Sequence, residues 1–230
     1  MTHLVNLSGK LTFAVALLSP LLSCASPALS VISTNGTPGS TVLVAVNYTT
    51  DTNTPSLQFY LLYNTNDLAS GTPVGGDALV DHQLGSSEIQ PGARLVLIFS
   101  ISNTSLTNGV LAYVPLAIAT NAPDHDESLM LSNVIVNTVE APVAAGVSNG
   151  ILAIVVPPAF SSILQTNGGS IHVQLSGGSN RNYVISAATN LESPQWIVLS
   201  TNLATNGVVD WEDTLPADPT TRFYRAMLLQ

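Results

Sequence analysis

The chain has 230 residues, of which 46% are hydrophobic and only 8% are charged, and its formal net charge is −9. With 5 basic residues against 14 acidic ones, it lacks the clustered Lys and Arg that binding to nucleic acid requires. The apolar content excludes a disordered chain, and the length suits one large or two small domains with buried cores.

The N-terminal segment 1–28 has the pattern of a secretory signal. A short start carrying Lys10 precedes an apolar run at 11–18, and small residues surround Cys24. The run is shorter than the roughly 20 apolar residues of a membrane span, so we expect removal and no span in the mature chain. Alternatively, residues 21–24 resemble a bacterial lipobox, which would make Cys24 a lipidated first residue. Both interpretations predict an exported protein, either secreted or attached to the cell surface.

Beyond residue 28 the chain consists of short runs in which apolar and polar residues alternate. In the first half these runs lie at 41–48, 57–63, 94–100, 110–119, 128–137 and 150–156. Thr-Asn-Gly triplets at 34, 107, 166 and 205 mark turns between strands, because Asn and Gly tolerate positive φ. The pattern predicts an all-β protein built from antiparallel sandwiches. Cys24 is the only cysteine, so no internal disulfide supports either core.

A tandem proline divides the chain into two predicted domains. Pro157 and Pro158 cannot donate to a β-ladder and they stiffen a connector, so we place a linker at 157–159. A larger domain then covers 29–156 and a smaller one covers 160–230. The predicted strands of the smaller domain lie at 171–175, 182–187, 196–200, 208–213 and 222–227.

The first domain resembles a cohesin module, the receptor that binds dockerin modules in cellulosome-type assemblies. The segments that carry the resemblance are 29–42, 57–68, 94–100, 109–116, 131–134 and 149–152. Within the second of them, Asn64 and Thr65 replace the Asp and Pro that the family usually has. The resemblance implies a jelly-roll β-sandwich and a dockerin-bearing protein partner, for example an enzyme that degrades polysaccharide. Because dockerins need calcium to fold, such binding would depend on calcium.

The second domain resembles a small fibronectin-III-like β-sandwich of exported bacterial proteins. Segments 183–191, 196–202 and 222–226 carry this resemblance. It implies an appended spacer or a surface-attachment module.

No residue pattern predicts catalysis, a cofactor or a metal. Gly146–Gly150 matches G-x-S-x-G, but the residues that follow predict a strand where a nucleophile elbow needs a helix. The histidines of the mature chain, His82, His125 and His172, lack zinc-ligand spacing. Residues 124–127 (Asp-His-Asp-Glu) lack the spacing of a calcium loop, so we interpret them as a solvated turn.

The run at 57–63 predicts a binding face. Its core side takes Leu57, Phe59, Leu61 and Tyr63. Its outer side then presents Gln58, Tyr60, Leu62 and Asn64. Tyr60 and Leu62 are apolar for a solvent-facing position, which indicates either a partner surface or a covering loop. In cohesins this strand belongs to the sheet that receives the dockerin, and we expect Asp81, His82 and Arg94 at the rim of the patch.

Two other functions remain as alternatives. A carbohydrate-binding module would share the jelly-roll fold, but it needs exposed aromatic rings to stack on sugars. In the first domain only Tyr48, Tyr60 and Tyr113 are tyrosines not assigned to the core, which is a weak platform. The second alternative is a structural or adhesive cell-surface protein.

Overall fold

The computed structural model describes residues 26–166, 168–214 and 221–229, and all of its regular elements are strands. The all-β prediction is confirmed. The predicted signal segment up to residue 25, including Cys24, lies outside the described residues. Within the described part of the chain there is no helix with the length and hydropathy needed to cross a bilayer.

The first domain is a sandwich of two sheets. Its strands are β1 (Ala28–Val31), β2 (Thr34–Gly36), β3 (Thr41–Thr49), β4 (Ser56–Leu62), β5 (Leu68–Ser70), β6 (Val74–Gly75), β7 (Gln83–Gln90), β8 (Ala93–Phe99), β9 (Gly109–Ile118), β10 (His125–Asn137), β11 (Pro142–Val143), β12 (Gly146–Ser148) and β13 (Gly150–Ile154). One sheet has the order β12-β1-β3-β9-β5, with β6 also pairing with β9. The other has the order β2-β13-β10-β4-β8-β7, with β11 pairing with β10.

Alternation along the strands builds the core between these sheets. In β3, Val44, Val46 and Tyr48 are fully buried, because every second residue of a strand faces the same side. The opposing strand β4 buries Leu57, Phe59 and Leu61 in the same way. Each fully buried side chain of this size contributes about 1.5–3 kcal/mol relative to exposure. The core side predicted for the run at 57–63 is therefore confirmed.

The second domain is a smaller sandwich of two three-stranded sheets. Its strands are β14 (Ala159–Gln165), β15 (Ile171–Ser176), β16 (Asn182–Ala188), β17 (Ile197–Leu203), β18 (Val208–Asp213) and β19 (Phe223–Leu228). The sheet orders are β14-β15-β18 and β17-β16-β19. Its core contains Leu175, Tyr183, Ile185, Ala204 and Val209.

A short polar junction joins the two domains. Strand β13 ends at Ile154 and β14 begins at Ala159, the last residue of the predicted linker. Asp124 of the first domain accepts a hydrogen bond of 2.8 Å from Arg181 Nε and another of 3.1 Å from the backbone N–H of Val156. The Tyr183 hydroxyl lies 3.4 Å from the Val156 carbonyl oxygen, to which it donates. These contacts connect both domains to the end of the connector.

Candidate functional site

The outer side of four neighbouring strands forms a candidate binding site. Strand β4 pairs with β10 on one side and with β8 on the other, and β8 pairs with β7. Register brings Tyr60 opposite Ser132 and Leu95, and Gln58 opposite Ile135 and Leu97. We call this surface the β10–β4–β8–β7 face.

Most of the large side chains on this face are apolar. The exposed members are Leu97, Phe99, Met130 and Ile135, which keep 39%, 37%, 44% and 37% of their surface accessible. Tyr60, Leu62 and Leu95 are half-buried beside them. Soluble proteins rarely leave a contiguous patch of this kind open to water unless it binds something.

The face carries no charge along the rows that cross β4. The outward positions of the four strands there are Ser56, Gln58, Tyr60, Leu62, Gln83, Gly85, Ser87, Ala93, Leu95, Leu97, Phe99, Met130, Ser132, Ile135 and Asn137. Gln58 and Ser132 lie in the two middle rows of the face, and Ser56, Gln83 and Asn137 lie in the row at the end where β4 begins. Apolar side chains with a few hydrogen-bonding groups among them and no charge are typical of the buried part of a protein interface.

The structure places three predicted site residues on this face and Asn64 beyond it. Gln58, Tyr60 and Leu62 lie on the outer side of β4, as the alternation requires. Asn64 lies past the end of the strand, where its Nδ2 donates a 2.9 Å hydrogen bond to Glu127 Oε1. Asn64 therefore belongs to the end of the sandwich, because the chain turns out of β4 after Leu62.

The prediction that Arg94 lies at the rim of the face is wrong in orientation. Arg94 pairs with Leu61 and points to the core side of β8, with only 11% of its side chain exposed. Its guanidinium donates to the Ser70 hydroxyl at 2.8 Å and to the Ser70 carbonyl at 3.0 Å. Glu88 lies 3.5 Å away on the neighbouring strand. Arg94 thus connects the two sheets, and these partners explain why a cation turns inward.

Asp81 and His82 lie beside the end of the face at which both β4 and β7 begin, which is the end away from Asn64. They line a shallow cavity of about 410 Å³ together with Val80, Gln83, Ile101 and Ser102. Asp81 accepts a 2.9 Å hydrogen bond from the Ser102 hydroxyl. Burial lowers the pKa of His82, because an apolar environment disfavours the charged imidazolium.

Sequence reasoning missed the residues that make the face continuous. Leu95, Leu97 and Phe99 come from β8, and Met130 and Ile135 come from β10. The signal in the sequence was the unbroken apolar run from Leu95 to Phe99. In ordinary alternation only the side of the strand that faces the core is apolar. An unbroken apolar run makes the solvent-facing side of the strand apolar as well.

The tyrosines of the first domain do not form a shared sugar platform. Tyr48 is fully buried and donates a 2.8 Å hydrogen bond to Thr54, so its assignment outside the core was wrong. Tyr60 lies on the outer side of β4, and Tyr113 lies on β9 of the other sheet. The structure therefore gives no support to the carbohydrate-binding alternative.

A cluster of metal-ligand side chains lies at the end of the sandwich that contains Asn64. The ligand atoms of Asp67, His125 and Glu127 all lie within 4.8 Å of one another. His125 Nε2 lies 2.6 Å from Glu127 Oε1 and 3.5 Å from Asp67 Oδ2. The hydrogen bond to Glu127 raises the pKa of His125. Of the predicted solvated turn at 124–127, Glu127 is buried and Asp124 belongs to the domain junction.

The G-x-S-x-G match has no nucleophile-elbow geometry. Ser148 is the last residue of β12, and the chain continues directly into β13. An elbow needs a helix at that point to present the serine and its oxyanion hole.

The fold and its exposed face define a β-sandwich module of the jelly-roll class. Among solved structures, the first domain is similar to cohesin domains, with which it shares its fold. One is the sixth cohesin of scaffoldin B from Acetivibrio cellulolyticus, solved with a dockerin, at 22% identity and a TM-score of 0.51, covering 56% of this chain and 99% of that one. Another, from Pseudobacteroides cellulosolvens, is a type I cohesin at 16% identity and a TM-score of 0.51, covering 56% and 92%.

A third similar structure is a type I cohesin–dockerin complex from Clostridium thermocellum. Its identity is 11% and its TM-score is 0.51, with coverage of 56% of this chain and 99% of that one. No family model matches the chain, and no curated protein matches it. The cohesin-like fold of the first domain is thus shown by structure.

Proposed function

We propose that the protein is an exported, non-catalytic receptor that binds a dockerin-bearing protein through the β10–β4–β8–β7 face. The observation that carries this proposal is the exposed, uncharged and largely apolar face of four strands. Burying that face against a partner removes apolar surface from water at about 25 cal/mol per Å².

The chemistry of the face favours a folded protein partner. Leu97, Phe99 and Met130 offer side chains that insert between those of an apolar helix or sheet surface. Gln58 and Ser132 lie among them and provide hydrogen bonds that fix the orientation of the partner. Since no charged residue lies in these rows, affinity should depend little on salt concentration.

The comparisons support a dockerin as the partner. Two of the similar structures are cohesins solved in complex with dockerins. The sheet that carries the exposed face contains β4, the strand that the resemblance assigned to dockerin recognition. The second domain, with its separate core, serves in this proposal as a spacer or attachment module outside the cell.

A binding titration with a matched pair of variants tests the proposal. A panel of calcium-loaded dockerins is titrated against the wild-type protein, Leu97→Asp and Leu43→Asp. Leu97 lies on the proposed face, whereas Leu43 is 60% exposed on β3 of the other sheet. A buried carboxylate in an apolar interface is strongly unfavourable, so Leu97→Asp should lower affinity by at least 30-fold, about 2 kcal/mol, and Leu43→Asp should not.

The other outcomes separate the alternatives. Equal loss in both variants, or no loss in either, contradicts the assignment of the face. Retention on insoluble polysaccharide with no dockerin bound would favour a carbohydrate-binding module. Binding of neither would leave a structural or adhesive role.

A further inference from the structure

The cluster of Asp67, His125 and Glu127 has the donor set of a transition-metal site. Glu127 comes from the core side of β10, His125 opens the same strand, and Asp67 precedes β5 of the other sheet. Each offers one ligand atom, and the three atoms converge within 4.8 Å. One imidazole nitrogen and two carboxylate oxygens are ligands that Zn²⁺ accepts in proteins.

The hydrogen bonding of His125 shows that its Nε2 faces the carboxylates with a free electron pair when the ring is neutral. Its Nδ1 lies 2.9 Å from the Pro123 carbonyl oxygen. A carbonyl only accepts, so the hydrogen of a neutral ring is on Nδ1. Nε2 is then an acceptor 2.6 Å from Glu127 Oε1, which is also an acceptor. A proton, on the ring or on the carboxyl group, or a metal ion must therefore lie between the two atoms.

The negative charge of the cluster also favours a positive group within it. Two carboxylates lie together here, and Glu127 is only 6% exposed. The arginines among the described residues contact other groups: Arg94 binds Ser70, Arg181 binds Asp124, Arg222 binds Asp213, and Arg225 lies over Trp196. A buried carboxylate beside a second, partly exposed one is unfavourable without a counter-charge, which here is a protonated His125 or a bound cation.

We propose that Asp67, His125 and Glu127 bind a divalent transition-metal ion of the zinc type. A tetrahedral ion with ligands at about 2.0 Å separates neighbouring ligand atoms by about 3.3 Å. The 3.5 Å between His125 Nε2 and Asp67 Oδ2 already fits this spacing. The 2.6 Å contact with Glu127 opens by a small rotation of the His125 ring, which is one-third exposed. Water completes the coordination from the exposed side.

Two further groups orient the ligands. The Pro123 carbonyl accepts from His125 Nδ1, the arrangement that commonly fixes a metal-bound histidine. Asn64 Nδ2 donates to Glu127 Oε1 at 2.9 Å and holds the carboxylate in place. Calcium is a poorer candidate, because it requires six to eight oxygen ligands and avoids imidazole.

The bound ion would join the two sheets at one end of the sandwich. Asp67 lies on the connection that passes from β4 to β5, while the other two ligands lie on β10. A ligand that binds only the folded state stabilises it by mass action. At a hundred-fold excess over Kd, this should raise the thermal midpoint by roughly 5 °C or more.

Zinc titration of the purified, chelator-treated protein at pH 7.5 tests the proposal. We expect one Zn²⁺ per chain by calorimetry, a higher thermal midpoint with Zn²⁺ and none of this with Ca²⁺. His125→Ala and Asp67→Asn should each weaken Zn²⁺ binding by at least 10-fold. Asn64→Ala should weaken it by about 10-fold, the usual effect of removing an orienting partner.

Matched variants and circular dichroism serve as controls. Asp126→Asn changes an exposed neighbour, and His172→Ala removes a histidine of the second domain that lies 3.7 Å from Asp210. Both should bind Zn²⁺ like the wild type. Absence of Zn²⁺ binding in the wild type, or full binding in a folded His125→Ala variant, would overturn the proposal and leave a protonated histidine as the counter-charge.

Discussion

Adjacent residues on opposite sides of β4 give the sharpest test of how this strand is oriented. Phe59 is fully buried and pairs with Val96, which is also fully buried. Truncating a buried phenylalanine to alanine costs about 3–5 kcal/mol. For a domain whose total stability is about 5–15 kcal/mol, this is a large fraction. Phe59→Ala should therefore unfold at a much lower denaturant concentration than the wild type.

Tyr60→Ala should behave differently, because its ring lies on the outer side of the same strand. Its neighbours there are Ser132 and Leu95, and cross-strand pairs of this kind contribute about 0.2–1 kcal/mol each. We expect a loss of stability below about 2 kcal/mol, together with a loss of partner affinity of 10-fold or more. Guanidinium unfolding measures the first quantity and calorimetric titration the second. A Tyr60→Ala variant as unstable as Phe59→Ala would refute the orientation.

Three further predictions concern groups outside the face. Arg94→Ala should lower the free energy of unfolding by about 1.5–3 kcal/mol, because it removes charge-assisted hydrogen bonds to Ser70. Affinity for the partner should not change. Weaker affinity with normal stability would instead place Arg94 at the rim of the face. Gly178→Ala would place a methyl group against the Asp124 carboxylate, which contacts both domains. Calorimetry should then show the two domains unfolding less cooperatively. A single transition at the wild-type temperature would contradict a stabilising role for the junction. Burial lowers the pKa of His82 in the folded protein below its ordinary value of 6.5. As the pH falls below 6.5, His82 of the unfolded chain is protonated more readily than His82 of the folded chain. The free energy of unfolding should therefore decrease. His82→Gln should reduce this fall in pH-dependent unfolding curves, and an identical pH profile would contradict it.

Alternation predicted the fold well because it reflects a local constraint. Leu57, Phe59 and Leu61 are buried as the period of two requires. The same rule assigned Gln58 and Tyr60 to the outer side. Tyr48 follows Val44 and Val46 in phase, so extending the alternation of that strand by one step predicts its burial.

The other features of the site depend on which strands become neighbours in the fold. The alternation of residues along one strand does not contain that information. Arg94 turns inward because Ser70 of the other sheet lies within hydrogen-bond distance. Asp67 and Glu127 are far apart in the sequence and meet only because β10 pairs with β4. Short spacings along the chain bring together residues 124–127, whereas Asp67 joins His125 and Glu127 only in the folded structure. Strand β8 is apolar on both sides, so its pattern did not identify which residues join the face.

Methyl NMR of the protein during titration with a calcium-loaded dockerin shows directly whether the partner binds the β10–β4–β8–β7 face. Leu95, Leu97, Met130 and Ile135 carry methyl groups on the β10–β4–β8–β7 face, and Leu43 carries them on the other sheet. The resonances of the first four residues should shift or broaden on binding, while those of Leu43 stay in place. Shifts centred on Leu43, or binding that leaves all four face residues unperturbed, would contradict binding at this face.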